Sequence, residues 1–317
     1  MKLKKEPVIL TVIIAALIVY LVLRSNDRTN YKLPDIAVVP ASEISGIDIS
    51  GPSGDLSLKK TGDKWVLGPQ GYNADGLIVQ GMLEILEKPV IITMASESKN
   101  YGRYGLEKDK KIVVKAYSKG GVAREISIGD TTDDKRQTLI CMAGDYRVYY
   151  SLKNIRTVFD KKTDDVRDKA VLSFDKNDIT NIDITKGNQV IKLTKKQGQA
   201  GKADKGSAGE EKSETSWVSV DGRVTDMSSV DAFLGTISGL SCKGYVNDLS
   251  RDALGDPICT VRLTGKKEYS LSIFSGKDNS LHPAISSEDK YTFNLADNVN
   301  EEILNSADKL IRKDEKQ

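Results

Sequence analysis

Glu43-Ile44-Ser45-Gly46-Ile47-Asp48-Ile49 returns later in the chain as Asp178-Ile179-Thr180-Asn181-Ile182-Asp183-Ile184. Working outward, Lys64-Trp65-Val66 returns as Ser216-Trp217-Val218, and these are the chain's 2 tryptophans. An Asp able to open a helix follows each, Asp75 and Asp226. A turn built on Leu and Gly comes next, at Tyr104-Gly105-Leu106 and at Ala253-Leu254-Gly255-Asp256-Pro257. Both stretches go on to a strand ending in Gly (Ile126 to Gly129; Leu271 to Gly276) and an aromatic strand (Val148-Tyr149-Tyr150; Tyr291-Thr292-Phe293). A repeat of about 150 residues is far longer than a solenoid unit and reads as duplication of a whole domain.

The local patterns say what kind of domain is repeated. Asp55-Leu56-Ser57-Leu58-Lys59 alternates with a period of two, between the turns Gly51-Pro52-Ser53-Gly54 and Thr61-Gly62-Asp63. That is an antiparallel meander with one buried face. Asn73-Ala74-Asp75 offers cap chemistry for a helix through Glu87, with Ile78, Met82, Ile85 and Leu86 on one stripe. Lys88-Pro89 ends it, since the residue before proline is pushed out of the helical region. The second helix runs from Asp226 to about Leu240, with Val230, Phe233, Leu234 and Ile237 on the equivalent stripe and Gly239 marking its end. Gly105 and Gly255 are expected to close a helical turn in the left-handed conformation. Further strands are expected at 112–117, 124–129, 138–143, 146–151 and 258–263, with closing helices near 152–159 and 299–310. The expected fold class is α+β: two tandem copies of a mostly antiparallel β-sheet domain with packed helices, preceded by one N-terminal transmembrane helix. The copies span 41–170 and 177–312, and 197–215 is a flexible loop insertion rich in Gly, Ala, Lys, Ser and Glu. The junction between them falls near Arg167–Lys176.

The N-terminus carries the strongest single motif. Residues 1–7 hold Lys2, Lys4 and Lys5, and an uncharged run from Val8 to Leu23 follows, leading into a polar stalk at 24–40. The run would rise about 24 Å as a helix, slightly short of a roughly 30 Å hydrocarbon core, with basic flanks able to snorkel. Its basic side sets the N-terminus in the cytoplasm. No small-x-small pair follows the run, which argues against cleavage. This is the pattern of a single-pass anchor in the cell inner membrane, with the bulk of the chain periplasmic or extracytoplasmic.

Composition narrows the partners. The chain has 47 Lys+Arg against 45 Asp+Glu, a net +2, with signs interspersed rather than gathered in a basic stripe. Nucleic acid is therefore not an expected partner. The one histidine, His282, lies in Asn279-Ser280-Leu281-His282-Pro283, which reads as a loop, and no CxxC, HExxH or HxH spacing surrounds it. No metal site, cofactor site or catalytic set is expected. The acidic runs Asp130-Thr131-Thr132-Asp133-Asp134 and Asp164-Asp165 lack the glycine and terminal glutamate of a calcium loop. Cys141, Cys242 and Cys259 are too few and too irregular for a disulfide framework, although a Cys242–Cys259 bridge stays open. Trp65 and Trp217 read as core residues rather than sugar platforms, since each follows a turn inside a meander that a helix covers. Trp65, Trp217, Gly105 and Gly255 are thus structural positions.

The strand Ile44–Ile49, the Trp65 strand, the Ala74-Asp75 helix start, the Tyr104-Gly105-Leu106 turn and the Ile128-Gly129 and Val148-Tyr149 strands together resemble the family known as domain of unknown function 4340. The resemblance covers about 41–170, with a weaker second match over 177–310. Glu107-Lys108 stands where such sequences often place a proline after the leucine, whereas the second copy keeps Pro257. No activity or catalytic residue comes with the family. The resemblance implies a bacterial, membrane-anchored, extracytoplasmic protein, often encoded beside ABC transport systems of the gliding-motility type. The expected function is a non-enzymatic binding or accessory module for an ABC-type transport system or other envelope protein. The alternative is a periplasmic ligand-binding or hydrolytic protein acting on envelope glycans or peptides.

Overall fold

The computed structural model describes residues 5–27, 32–197, 215–246, 249–276 and 282–311. Helix α1 (Lys5–Asp27) holds the apolar run. Its side chains are described at residues 9, 10 and 12–22, and all are exposed. Among the described residues no helix is long and apolar enough to cross a membrane. Most of the expected loop insertion, 198–214, and residues 28–31 of the expected stalk lie outside the described residues. The rest of the chain is α+β, built from antiparallel sheets with a few helices. It divides into two compact units at Asp168 and Lys169.

In the first unit, alternation decides the core. Strand β1 (Gly46–Gly51) buries Ile47 and Ile49 and leaves Asp48 half-buried on the other face, where Ser57 Oγ donates to it at 2.8 Å. β2 (Gly54–Thr61) answers with buried Leu56 and Leu58, and β3 (Lys64–Leu67) and β4 (Tyr72–Asn73) finish the meander. Helix α2 (Gly76–Glu87) starts on Asp75, whose Oδ1 accepts from Leu77 N–H at 2.8 Å and Ile78 N–H at 3.2 Å. Its buried stripe is Val79, Met82 and Leu86. Ile78 and Ile85, expected on that stripe, sit at its margins, because the face turned to the sheet centres one position further along. Each buried side chain of the stripe contributes about 1.5–3 kcal/mol through burial.

β5 (Ile91–Ser96), not foreseen as a strand, crosses to the far side of the sheet. β6 (Ile112–Ser118), β7 (Gly121–Thr131), β8 (Thr138–Met142) and β9 (Val148–Ser151) complete nine antiparallel strands in the order β4-β3-β2-β1-β6-β7-β8-β9-β5. The helix expected near 152–159 is two single turns, α3 (Arg156–Phe159) and α4 (Thr163–Val166). Each plants one large or branched side chain, Phe159 or Val166, in the core.

The second unit opens with β10 (Ala170–Ser173), which pairs apart from the main sheet. β11 (Asn181–Lys186), β12 (Gln189–Gln197) and β13 (Thr215–Ser219) form its meander. Helix α5 (Met227–Ile237) follows Asp226, which accepts from Ser228 N–H. It buries the expected Val230, Phe233, Leu234 and Ile237. The helix stops at Ser238, and Gly239 instead begins β14 (Gly239–Ser241), the partner of β10. Next come β15 (Gly244–Tyr245), β16 (Cys259–Thr264), β17 (Glu268–Ile273), β18 (His282–Ser286), β19 (Phe293–Leu295) and α6 (Asp297–Ala307). The main sheet runs β13-β12-β11-β16-β17-β18-β19-β15, all antiparallel.

Registers in the two sheets can be compared residue by residue. Ile47 lies between Leu58 and Ala116; Ile182 lies between Leu193 and Leu263. Trp65 faces Lys60, and Trp217 faces Lys195. Tyr149 of β9 faces Ile140 and Met94, while Phe293 of β19 faces Ala284 and Tyr245.

Candidate functional site

A dense polar arrangement sits in the β8–β9 turn. Asp145 and Arg147 are two residues apart, and the turn folds the guanidinium back on the carboxylate. Arg147 Nε donates to Oδ1 at 2.9 Å and Nη2 donates to Oδ2 at 2.8 Å. The Tyr149 hydroxyl, delivered by β9, donates to Oδ2 at 2.6 Å. Cys141 Sγ, at the end of β8, donates to the Asp145 carbonyl at 2.9 Å.

These contacts decide the chemistry of the cluster. The Arg147 fork, with help from Tyr149, holds the Asp145 carboxyl far below the usual carboxylate range. Burial, then the hydrogen bond to Asp145, pushes the Tyr149 phenol well above its ordinary value. Burial, then the Asp145 charge, pushes the Cys141 thiol up. At neutral pH the cluster is one carboxylate, one guanidinium, one neutral phenol and one neutral thiol. It stitches the hairpin; none of its members is poised to exchange a proton near pH 7.

A second fork of the same spacing follows β13. Arg223 Nε donates to Asp221 Oδ2 at 2.6 Å, and Ser219 Oγ donates to Asp221 Oδ1 at 2.5 Å. Arg223 and then Ser219 lower the Asp221 carboxyl. The Asp221 side chain is 50% exposed, against 15% for Asp145, so solvent screens this pair far more.

A concavity lies where α2 ends. A cavity of about 130 Å³ is walled by Ile85, Pro89, Val90, Leu152 and Ile155, with Lys88, Lys153 and Glu84 also lining it. The Ser151–Ile155 turn is fixed by Ser151 Oγ on the Lys153 carbonyl at 2.6 Å, and Leu152 N–H donates to the Val90 carbonyl at 2.9 Å. The last carbonyl of α2, on Glu87, is an orphan of the helix end. Val39 N–H reaches it at 3.0 Å and Arg124 Nη2 at 3.1 Å. Arg124 also donates to the Ala37 carbonyl at 2.5 Å.

The residues singled out from sequence are placed separately rather than gathered. Trp65 is half-buried against the first core, and Trp217 is 7% exposed in the second. The Trp65 carbonyl accepts from Ala74 N–H and the Trp217 carbonyl from Thr225 Oγ1, each just before a helix cap. Gly105 closes the 3-10 turn Tyr101–Tyr104 in the left-handed conformation, φ +63°, and a Cβ there would overlap the Asp130 carboxylate. Gly255 does not do the same. The turn Arg251–Ala253 is closed by Leu254 in extended conformation, and Gly255 has open space around it.

His282, expected in a loop, is the first residue of β18 opposite Leu295, with its Nδ1 buried and without a partner among the described residues. Among the described residues no disulfide joins Cys141, Cys242 or Cys259. Burial pushes the Cys259 thiol up to about 11, so it is neutral at ordinary pH. Among the described residues no group of three or more His, Cys, Asp or Glu is arranged to hold a metal. Sequence reasoning missed both Asp-x-Arg forks and the α2-end cavity. The forks had a signal in their spacing within a turn, whereas the cavity needs β5 beside β9, which no local pattern announces.

No curated protein and no solved structure matches this chain. A family model does, over residues 65–257, more than half of the chain. The match is one stretch passing through the boundary between the units, not the two matches over 41–170 and 177–310 that the resemblance implied. The chain belongs to the family described as a domain of unknown function (DUF4340).

Proposed function

We propose that this protein is a single-pass, membrane-anchored pair of related sheet domains that binds an envelope partner without catalysing a reaction. The partner we favour is a subunit of an ABC-type transport system. The observation that carries the reading is α1. It is 23 residues long, and Ile9, Leu10 and the apolar residues from Val12 to Val22 stand exposed on every side. Its uncharged run, Val8 to Leu23, rises about 24 Å, and basic flanks that snorkel bring it to a hydrocarbon core of roughly 30 Å. Soluble helices bury one stripe, whereas the described side chains of α1 include no polar face. Lys2, Lys4 and Lys5 put its N-terminus in the cytoplasm and residues 24–317 outside.

The matching registers support the further reading that the two units are diverged copies of one domain. Equivalent residues recur at Ile47 and Ile182, Trp65 and Trp217, and Tyr149 and Phe293. Three experiments test the proposal. Alkaline carbonate should leave the full chain in the membrane pellet, and protease added to spheroplasts should digest the part beyond residue 40. Crosslinking in native membranes should then recover one defined protein in fixed proportion. Release by carbonate would sink the anchor, and a solitary monomer after crosslinking would sink the partner.

A further inference from the structure

We infer that the α2 end of the first unit rests on the surface of an anionic bilayer, with Val38, Val90 and Leu152 dipping into the interface. The inference depends on the anchor proposed above. Each of the three side chains is more than half exposed, at 54%, 52% and 52%. They belong to one place in the fold. Val39 N–H holds the Val38 segment to the last carbonyl of α2, three residues before Val90, and Leu152 N–H holds its own turn to the Val90 carbonyl. Behind Val90 and Leu152 lies the cavity of about 130 Å³, with Ile85 and Ile155 among its walls, so the apolar character continues inward.

Two observations choose a bilayer as the occupant. Lys88 and Lys153 line the same cavity, against the single acid Glu84, a charge balance suited to lipid phosphates. Branched aliphatics beside lysines are the side chains that settle at a headgroup boundary. The second observation is chain length. Only residues 28–37 separate α1 from Val38, a reach of at most about 36 Å when fully extended. Arg124 then pins Ala37 to the same helix end. The tether therefore delivers this face, before any other part of the unit, to the neighbourhood of the membrane.

The test uses the full chain in vesicles of phosphatidylcholine and phosphatidylglycerol, with bromine on the acyl chains as a contact quencher. Leu152→Trp and Val90→Trp report the proposed face. Leu77→Trp, at the opposite end of α2 and 81% exposed, is the control. Brominated lipid should quench the added emission at 152 and 90 more than twofold and leave that at 77 unchanged. The double variant Lys88→Glu/Lys153→Glu should abolish the difference. Equal quenching at 152 and 77 in a chain that floats with the vesicles overturns the inference and leaves the anchor intact. Emission that follows the protein-to-lipid ratio instead of bromination overturns it in favour of a second copy on this face. A chain that does not float overturns the anchor, and this inference with it.

Discussion

In the first unit Gly105 takes a left-handed conformation that packs its Cα against Asp130; in the second, Gly255 stands in open space while Leu254 closes the turn. The helices show the opposite relation. Asp75 and Asp226 cap alike, and both helices press their apolar stripes into their own sheet. Turn chemistry is thus interchangeable between the two units where packing is not. A short 3-10 turn can end on a glycine or on any extended residue, and Pro257 already blocks helix beyond it in the second unit. A helix stripe facing a sheet has only one way to be buried.

The largest effects should come where the units agree. Phe233→Ala should cost about 3–5 kcal/mol and Met82→Ala about 2–5 kcal/mol, measured by denaturant titration. Hydrogen exchange should place each loss in its own unit. A loss below about 1 kcal/mol for either would break the equivalence of the two helices.

The glycines sharpen the contrast. Gly105→Ala should destabilise by about 2 kcal/mol or more, through its left-handed backbone and the crowding at Asp130. Gly255→Ala should stay within about 0.5 kcal/mol. Equal effects would mean that the two turns do the same job after all. The caps come next: Asp75→Ala and Asp226→Ala should each cost about 1 kcal/mol, and a twofold difference between them would separate the two helix starts.

The smallest effects belong to the forks. A carboxyl lowered by its partners contributes stability that is fully present above the ordinary range near pH ~4 and is lost as pH falls toward the depressed value. Both Asp145 and Asp221 are lowered, so both contribute in that direction. Because Asp145 is the less exposed, Asp145→Asn should flatten the acid limb of melting temperature against pH more than Asp221→Asn. A larger change from Asp221→Asn would reverse the ranking by exposure.

Much of the architecture was legible because its signals are local. Period-two alternation marked β1 and β2, and the Asp before an apolar stripe marked both long helices. The α5 stripe is legible in sequence, whereas in α2 six apolar residues, Ile78, Val79, Met82, Leu83, Ile85 and Leu86, crowd one side and only the sheet decides which face inward. β5 escaped since its partner β9 lies more than 50 residues away and Pro89 suggested an end, not a beginning. His282 escaped because Pro283 reads as a loop residue, although β18 accommodates it. The Asp145 cluster needed Tyr149 and Cys141, which only the β8–β9 pairing brings to the same carboxylate.

Arg124 has a mechanical consequence. It belongs to β7, which has a partner strand on both sides, and it grips the incoming chain at Ala37. A pull on the tether is therefore passed to the middle of the sheet, where strands must slide past two neighbours to give way, rather than to a border strand that unzips bond by bond. In single-molecule pulling from the N-terminus, Arg124→Ala should lower the force of the first yield, and an unchanged force would place the load elsewhere. Whatever pulls on the N-terminal segment meets the sheet at a strand with neighbours on both sides.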